Sequence, residues 1–170
     1  MALVAGAGWF GRKIYKSSVE HRLVLQARES IEKKDLRTTS LCLQRVLQIN
    51  PMSMEGTRMV AEMLESAGSS DALSWRIRLA KLQPNNVTNR FLWAETAYKM
   101  GDFPSASEAL DGVDDQFKII ANYHKLSGAV AWGKGNPVEA EKQYTEAIRL
   151  EPDNLATVLN LATIHLASAA

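Results

Sequence analysis

The sequence predicts an all-α fold made of antiparallel helix pairs repeated along the chain. Three observations predict it: prolines that close apolar helical runs at a fixed spacing, a turn signal at matching phase between them, and small residues recurring where two helices must meet.

The prolines come first. Asn50-Pro51, Gln83-Pro84 and Glu151-Pro152 each follow an apolar amphipathic run, at residues 46–49, 79–82 and 148–150. Pro51 to Pro84 is 33 residues, and Pro84 to Pro152 is 68, two units of 34. The missing middle proline falls at Lys118, where the chain reads Asp-Gln-Phe-Lys. Proline lacks an N–H and clashes with the preceding turn, so each one is expected to end the second helix of its unit.

Between the prolines the punctuation repeats. Lys34-Asp35-Leu36, Gly68-Ser69-Ser70, Gly101-Asp102-Phe103 and Gly135-Asn136-Pro137 stand at nearly matching phase. Glycine takes the left-handed conformation that ends a first helix, and Asp or Asn suits the start of the next. Ala27, Ala61, Ala94 and Gly128 lie in the first helices and Ala72, Ala106 and Ala140 early in the second ones. Leu43, Leu110 and Tyr144 follow one turn later. A small-small-large pattern at fixed phase requires one packing geometry used repeatedly.

On these residues the chain resembles the tetratricopeptide repeat (TPR) family. The best unit is 121–154, where Gly128, Gly135, Ala140, Tyr144, Ala147 and Pro152 match the family pattern. The resemblance covers residues 20–170 as units of about 20–53, 54–86, 87–120 and 121–154, then the first helix of a fifth. Departures are His124 where the family has Trp, Lys34 in place of a turn glycine, and a second unit one residue short. The resemblance implies a right-handed superhelical solenoid whose first helices line a concave groove. It also implies a non-catalytic module that captures peptides or partner proteins.

The groove-facing phase of the first helices gives Arg28, Arg58, Glu62, Phe91, Glu95, Tyr98, Lys125 and Trp132 as candidate lining. Cations early and aromatics later suit a peptide with acid at one end and apolar groups at the other. The competing reading makes Phe91 and Trp132 core and the charged residues a solvated face. One subfamily grips carboxylate tails of chaperones with a Lys-Asn-Asn-Lys-Arg set. Lys125 and Asn160 fall at two of its places, but Ala129 stands where asparagine is needed, so no such clamp is expected.

Residues 1–11 carry no charge, and Arg12, Lys13 and Lys16 then arrive together. About ten helical residues cover about 15 Å, half of a bilayer core of about 30 Å. The segment 1–19 therefore reads as the end of a transmembrane helix with a basic flank, Trp9 and Tyr15 lying near the interface. Membrane association is expected through residues 1–16, with the repeats on the cytoplasmic side by the positive-inside rule. The alternative is a soluble cytoplasmic adaptor or self-assembling scaffold, in which residues 155–170, free of Asp, Glu, Lys and Arg, form a self-association surface. Charges introduced at Leu159 and Ile164 would then abolish assembly. A third reading is the non-catalytic arm of a larger enzyme.

Composition narrows the chemistry. With 46% hydrophobic and 23% charged residues the chain is ordinary for a folded domain, and a net charge of +1 argues against a nucleic-acid binder. Residues 1–50 hold nine Lys or Arg against four Asp or Glu, while Asp102, Glu108, Asp111, Asp114 and Asp115 form an acidic run, a solvated face or a dock for a basic partner. The lone Cys42 excludes an internal disulfide and reads as a buried hydrophobe. Gly6, Gly8 and Gly11 spell G-x-G-x-x-G, but no second strand follows to complete a dinucleotide site. His21, His124 and His165 stand apart, with no spacing that suits a metal or a nucleophile–base pair; His124 is expected to pack between helices. No cofactor or catalytic residue is predicted.

Overall fold

The computed structural model describes the backbone of residues 2–168 and the side chains of residues 15–168. The readings placed on the side chains of Trp9, Arg12 and Lys13 lie outside those residues. Among the described residues there are nine α-helices, one short 3₁₀ helix and no strand. In order they are α1 (Ala2–Glu32), α2 (Leu36–Ile49), α3 (Met54–Ser66), α4 (Ala72–Leu82), α5 (Val87–Lys99), α6 (Phe103–Asp111), the 3₁₀ helix (Asp115–Phe117), α7 (Ala121–Gly133), α8 (Pro137–Leu150) and α9 (Leu155–Ser168).

The chain divides into two compact units, Met1–Leu82 and Gln83–Ala170. In the first, α1 pairs with α2 and α3 with α4, and α2 also packs on α3. In the second, α5 pairs with α6 and α7 with α8; α7 touches both α5 and α6, and α9 lies on α8. α1 runs through position 19 without a break. No helix among the described residues is long and apolar enough to cross a membrane.

The turn chemistry explains where the helices stop. Gly68, Gly101 and Gly135 have φ of +66°, +74° and +74°, and Lys34 takes the same left-handed place at +57°. The residue after each closes the helix by donating its amide five residues back: Asp35 to Ser30, Ser69 to Leu64, Asp102 to Ala97 and Asn136 to Ala131, each at 2.9 Å. Asp35, Asp102 and Asn136 then cap the next helix, accepting from the amides of Thr38, Ser105 and Glu139. One dipeptide thus ends one helix and begins another.

The small-small-large pattern lies inside. Ala27, Ala61, Ala72, Ala94, Ala106 and Ala140 are 0% exposed, and Leu43, Leu110 and Tyr144 are 1%, 5% and 4% exposed. In the first unit Leu23, Val24, Ala27, Cys42, Leu43, Val46, Met59 and Val60 form one core, with Cys42 a buried member. In the second, Tyr144, Ala140, Ala131 and Ile164 cluster with Trp132 and Leu161 against them.

The third unit has Lys118 where the others have the closing proline, and its second helix α6 stops at Asp111, seven residues before it. Gly112 caps it, and the Arg90 guanidinium occupies the space where a Cβ at position 112 would stand. Asp111, Asp114 and Asp115 gather at a helix end that disfavours negative charge, so continuation is opposed. Val113, 2% exposed, fills the core instead.

Candidate partner-binding face

The first helices α1, α3, α5 and α7 carry every candidate lining residue. In the first unit three of the eight meet. Arg28 of α1 donates to Glu55 of α3. Arg58 also donates to Glu55, through Nε at 3.1 Å and Nη2 at 2.6 Å, and donates Nη1 to Glu62 at 2.9 Å. The side chains of Arg28, Glu55, Arg58 and Glu62 remain 55%, 31%, 41% and 44% exposed, so the chain of charge lies open to solvent. Partial burial would raise the Glu55 carboxyl, but hydrogen bonds from Arg58 and Arg28 outweigh it and hold the group below its ordinary value. Glu55 is the hub, and sequence reasoning missed it: its link to Arg28 spans 27 residues, and only the helix stacking brings the two together. Beside the network a shallow depression of about 300 Å³ is lined by Ser17, Glu20, His21, Val24, Leu25, Arg28 and Glu55.

In the second unit the five remaining candidates sit on α5 and α7. Glu95 is half-buried and accepts from Lys99 Nζ at 2.7 Å. Tyr98 is half-buried, its ring centroid 6.1 Å from that of Phe103. Lys125 donates to Glu151, just beyond α8, at 3.0 Å, and this bond together with one from Asn154 holds the Glu151 carboxyl below its usual value. Phe91 is 8% exposed and offers little surface. Trp132 packs on the cluster around Tyr144 with part of its ring uncovered. Both aromatics therefore contribute to the core. His124 also packs between helices, its Nδ1 2.7 Å from Gln143 Oε1 on α8.

Two further features hold these helices. Trp93, 4% exposed, donates its indole N–H to Ser105 at 2.9 Å, tying α5 to α6. Ser30 and Thr39 meet at 2.7 Å between α1 and α2. Among the described residues no group of three or more His, Cys, Asp or Glu is placed to hold a metal ion.

No protein-family model matches the chain, and no curated protein matches it in sequence. Solved structures match it in shape. MamA (residues 41 to the end) from Desulfovibrio magneticus RS-1 superposes with a TM-score of 0.79 at 14% identity, covering 89% of this chain and 86% of that one. PilF of Pseudomonas aeruginosa gives 0.69 at 13% identity, covering 91% and 71%. YrrB, described as a TPR protein with an unusual peptide-binding site, gives 0.68 at 18% identity, covering 78% and 69%.

Proposed function

The chain has the TPR fold, and we propose that it is a non-catalytic module that binds a peptide or partner protein on the exposed face of its first helices. The observation that carries this reading is the open Arg28–Glu55–Arg58–Glu62 network, in which two first helices together present fixed charges to solvent. The second unit, taken by itself, offers Glu95, Tyr98, Lys125 and the uncovered part of Trp132 on its own first helices. A ligand with both carboxylate and apolar groups suits that set. The peptide-binding site attributed to YrrB, a neighbour in shape, supports the reading. Selection from a displayed random-peptide library tests it: bound peptides should lose affinity for the Arg58→Glu and Lys125→Glu variants. Selection that returns no peptide, or peptides indifferent to both changes, would refute it.

The module is held at a membrane, in our reading, by the uncharged start of α1 followed by Arg12, Lys13 and Lys16, with the repeats on the cytoplasmic side. One observation favours a second reading, a soluble cytoplasmic scaffold that self-associates: α9 leaves Leu155, Leu159 and Leu166 exposed by 75%, 66% and 74%. Vesicle co-sedimentation and light scattering on the full chain distinguish the two.

A further inference from the structure

We infer that the turn at residues 50–54 is a second membrane contact of the first unit, one that fits an anionic lipid surface. The inference rests on the reading that the start of α1 enters a membrane.

Its geometric basis is the pairing of Glu20 with Asn50. Asn50 Nδ2 donates to both carboxylate oxygens of Glu20, at 3.0 and 3.1 Å. Helical side chains lean toward the N-terminus of their helix, so this bond sets the turn level with the stretch of α1 between Lys16 and Glu20. α1 is one uninterrupted helix from Ala2 to Glu32, so no linker separates its apolar start from that level. From Arg12 to Glu20 the rise is about 12 Å, and from Lys16 about 6 Å. The headgroup layer of a leaflet is about 5–7 Å deep, and a helix tilt of about 20° brings the unit closer. With the hydrocarbon edge near Arg12 the headgroups reach the level of Lys16, and a tilt toward α2 brings the turn to them.

The chemistry of the turn matches such a surface. Met52 and Met54 are 65% and 49% exposed, flexible apolar side chains facing water. Single exposed apolar residues are commonplace; these two stand at the end of the unit from which the apolar helix extends. Arg78 donates Nη2 to the Pro51 carbonyl and lies 5.1 Å over the ring of Trp75, which packs on the first unit's core. Lys16 and Lys81 are exposed, Lys81 in the last turn of α4. The carboxylates nearby are engaged: Glu20 with Asn50, Glu55 with Arg28 and Arg58. Cations face outward while acids are tied within the unit, so the complementary lipid is anionic. Each such cation is worth about fivefold in partition near an anionic surface.

The test places an environment-sensitive fluorophore on the full chain at Met52→Cys, and in a second sample at Ser70→Cys, in the turn at the opposite end of α3. Vesicles are phosphatidylcholine alone or with phosphatidylserine. We expect the label at 52, and not at 70, to shift to the blue on anionic vesicles. The Met52→Glu/Met54→Glu variant should lose about tenfold in partition at unchanged helicity. If the chain binds but the label at 52 stays water-like and the double variant binds equally, the inference falls and the tether stands. Equal partition onto neutral vesicles would overturn the anionic assignment. If the unaltered chain binds neither vesicle, the tether reading falls and takes this inference with it.

Discussion

Arg76 of α4 is 3% exposed and grips Glu65 of α3 with both arms of its guanidinium, Nε at 2.8 Å and Nη2 on the second carboxylate oxygen. The pair joins two antiparallel helices from inside, where the small-residue pattern places apolar contacts elsewhere. Its third nitrogen, Nη1, is buried without a hydrogen-bond partner.

The two partners should therefore respond unequally to mutation. Removing Glu65 strands a buried cation, which costs roughly 3–5 kcal/mol. Arg76→Met removes the cation and its unsatisfied nitrogen together and keeps much of the volume, so its cost should stay below about 2 kcal/mol. Urea denaturation of Glu65→Ala and Arg76→Met checks this. Equal losses would mean that the arginine contributes more than its charge.

Lys34 is a second place where one substitution separates two effects. It holds the left-handed position that glycine holds in the other three turns, at φ +57°. A side chain there costs about 1–2 kcal/mol, and glycine returns part of that through its freer unfolded chain. Lys34→Gly should raise stability by about 0.5–1 kcal/mol. Gly135→Ala should lower it by about 1 kcal/mol for the backbone alone, since no heavy atom lies within 4 Å of a Cβ at 135. Thermal unfolding of both variants decides the matter; a destabilising Lys34→Gly would refute it.

Tyr144 supplies a pH signature. Burial pushes its phenol up to about 12, and Tyr98 adds to the shift while a hydrogen bond to Asn160 opposes it. Below about pH 10 the phenol is protonated both folded and unfolded, and stability is complete. Above that the unfolded phenol ionises first, so stability falls until the folded value is reached. The stability difference between the unaltered chain and Tyr144→Phe should shrink, on the order of 2 kcal/mol, between about pH 10 and 12. A difference constant across that window would contradict the buried, un-ionised ring.

On α9 the two sides of the helix should behave differently. Leu159 is 66% exposed and Ile164 is 1% exposed. Leu159→Glu and Leu166→Glu should leave the fold intact and remove any concentration-dependent association seen by light scattering. Ile164→Glu buries a charge and should cost more than about 3 kcal/mol, visible as lost helicity on mild heating. The sequence suggested Ile164 as a surface position, which the packing of α9 on α8 corrects.

That error shows what a sequence reveals and what it conceals. Features fixed by local geometry were legible: the left-handed turns at Gly68, Gly101 and Gly135, the caps at Asp102 and Asn136, and the buried alanines at fixed phase. Lys34 shows that phase mattered more than residue type. Features that depend on neighbouring helices were not legible. The Glu55 hub, the Arg76–Glu65 pair and the Arg90 guanidinium at Gly112 join residues 27, 11 and 22 positions apart, and nothing local announces them. The faces of α9 were ambiguous for another reason. With no Asp, Glu, Lys or Arg in residues 155–168, charge does not mark which side of the helix meets water.

The central claim, that a partner docks on the first helices, is tested most directly by an amide NMR titration of the full chain with a library-selected peptide. The account predicts that shifts concentrate on α1, α3, α5 and α7, around Arg28, Arg58, Glu62, Glu95, Tyr98 and Lys125. Shifts confined to α2, α4, α6 and α8 would contradict it.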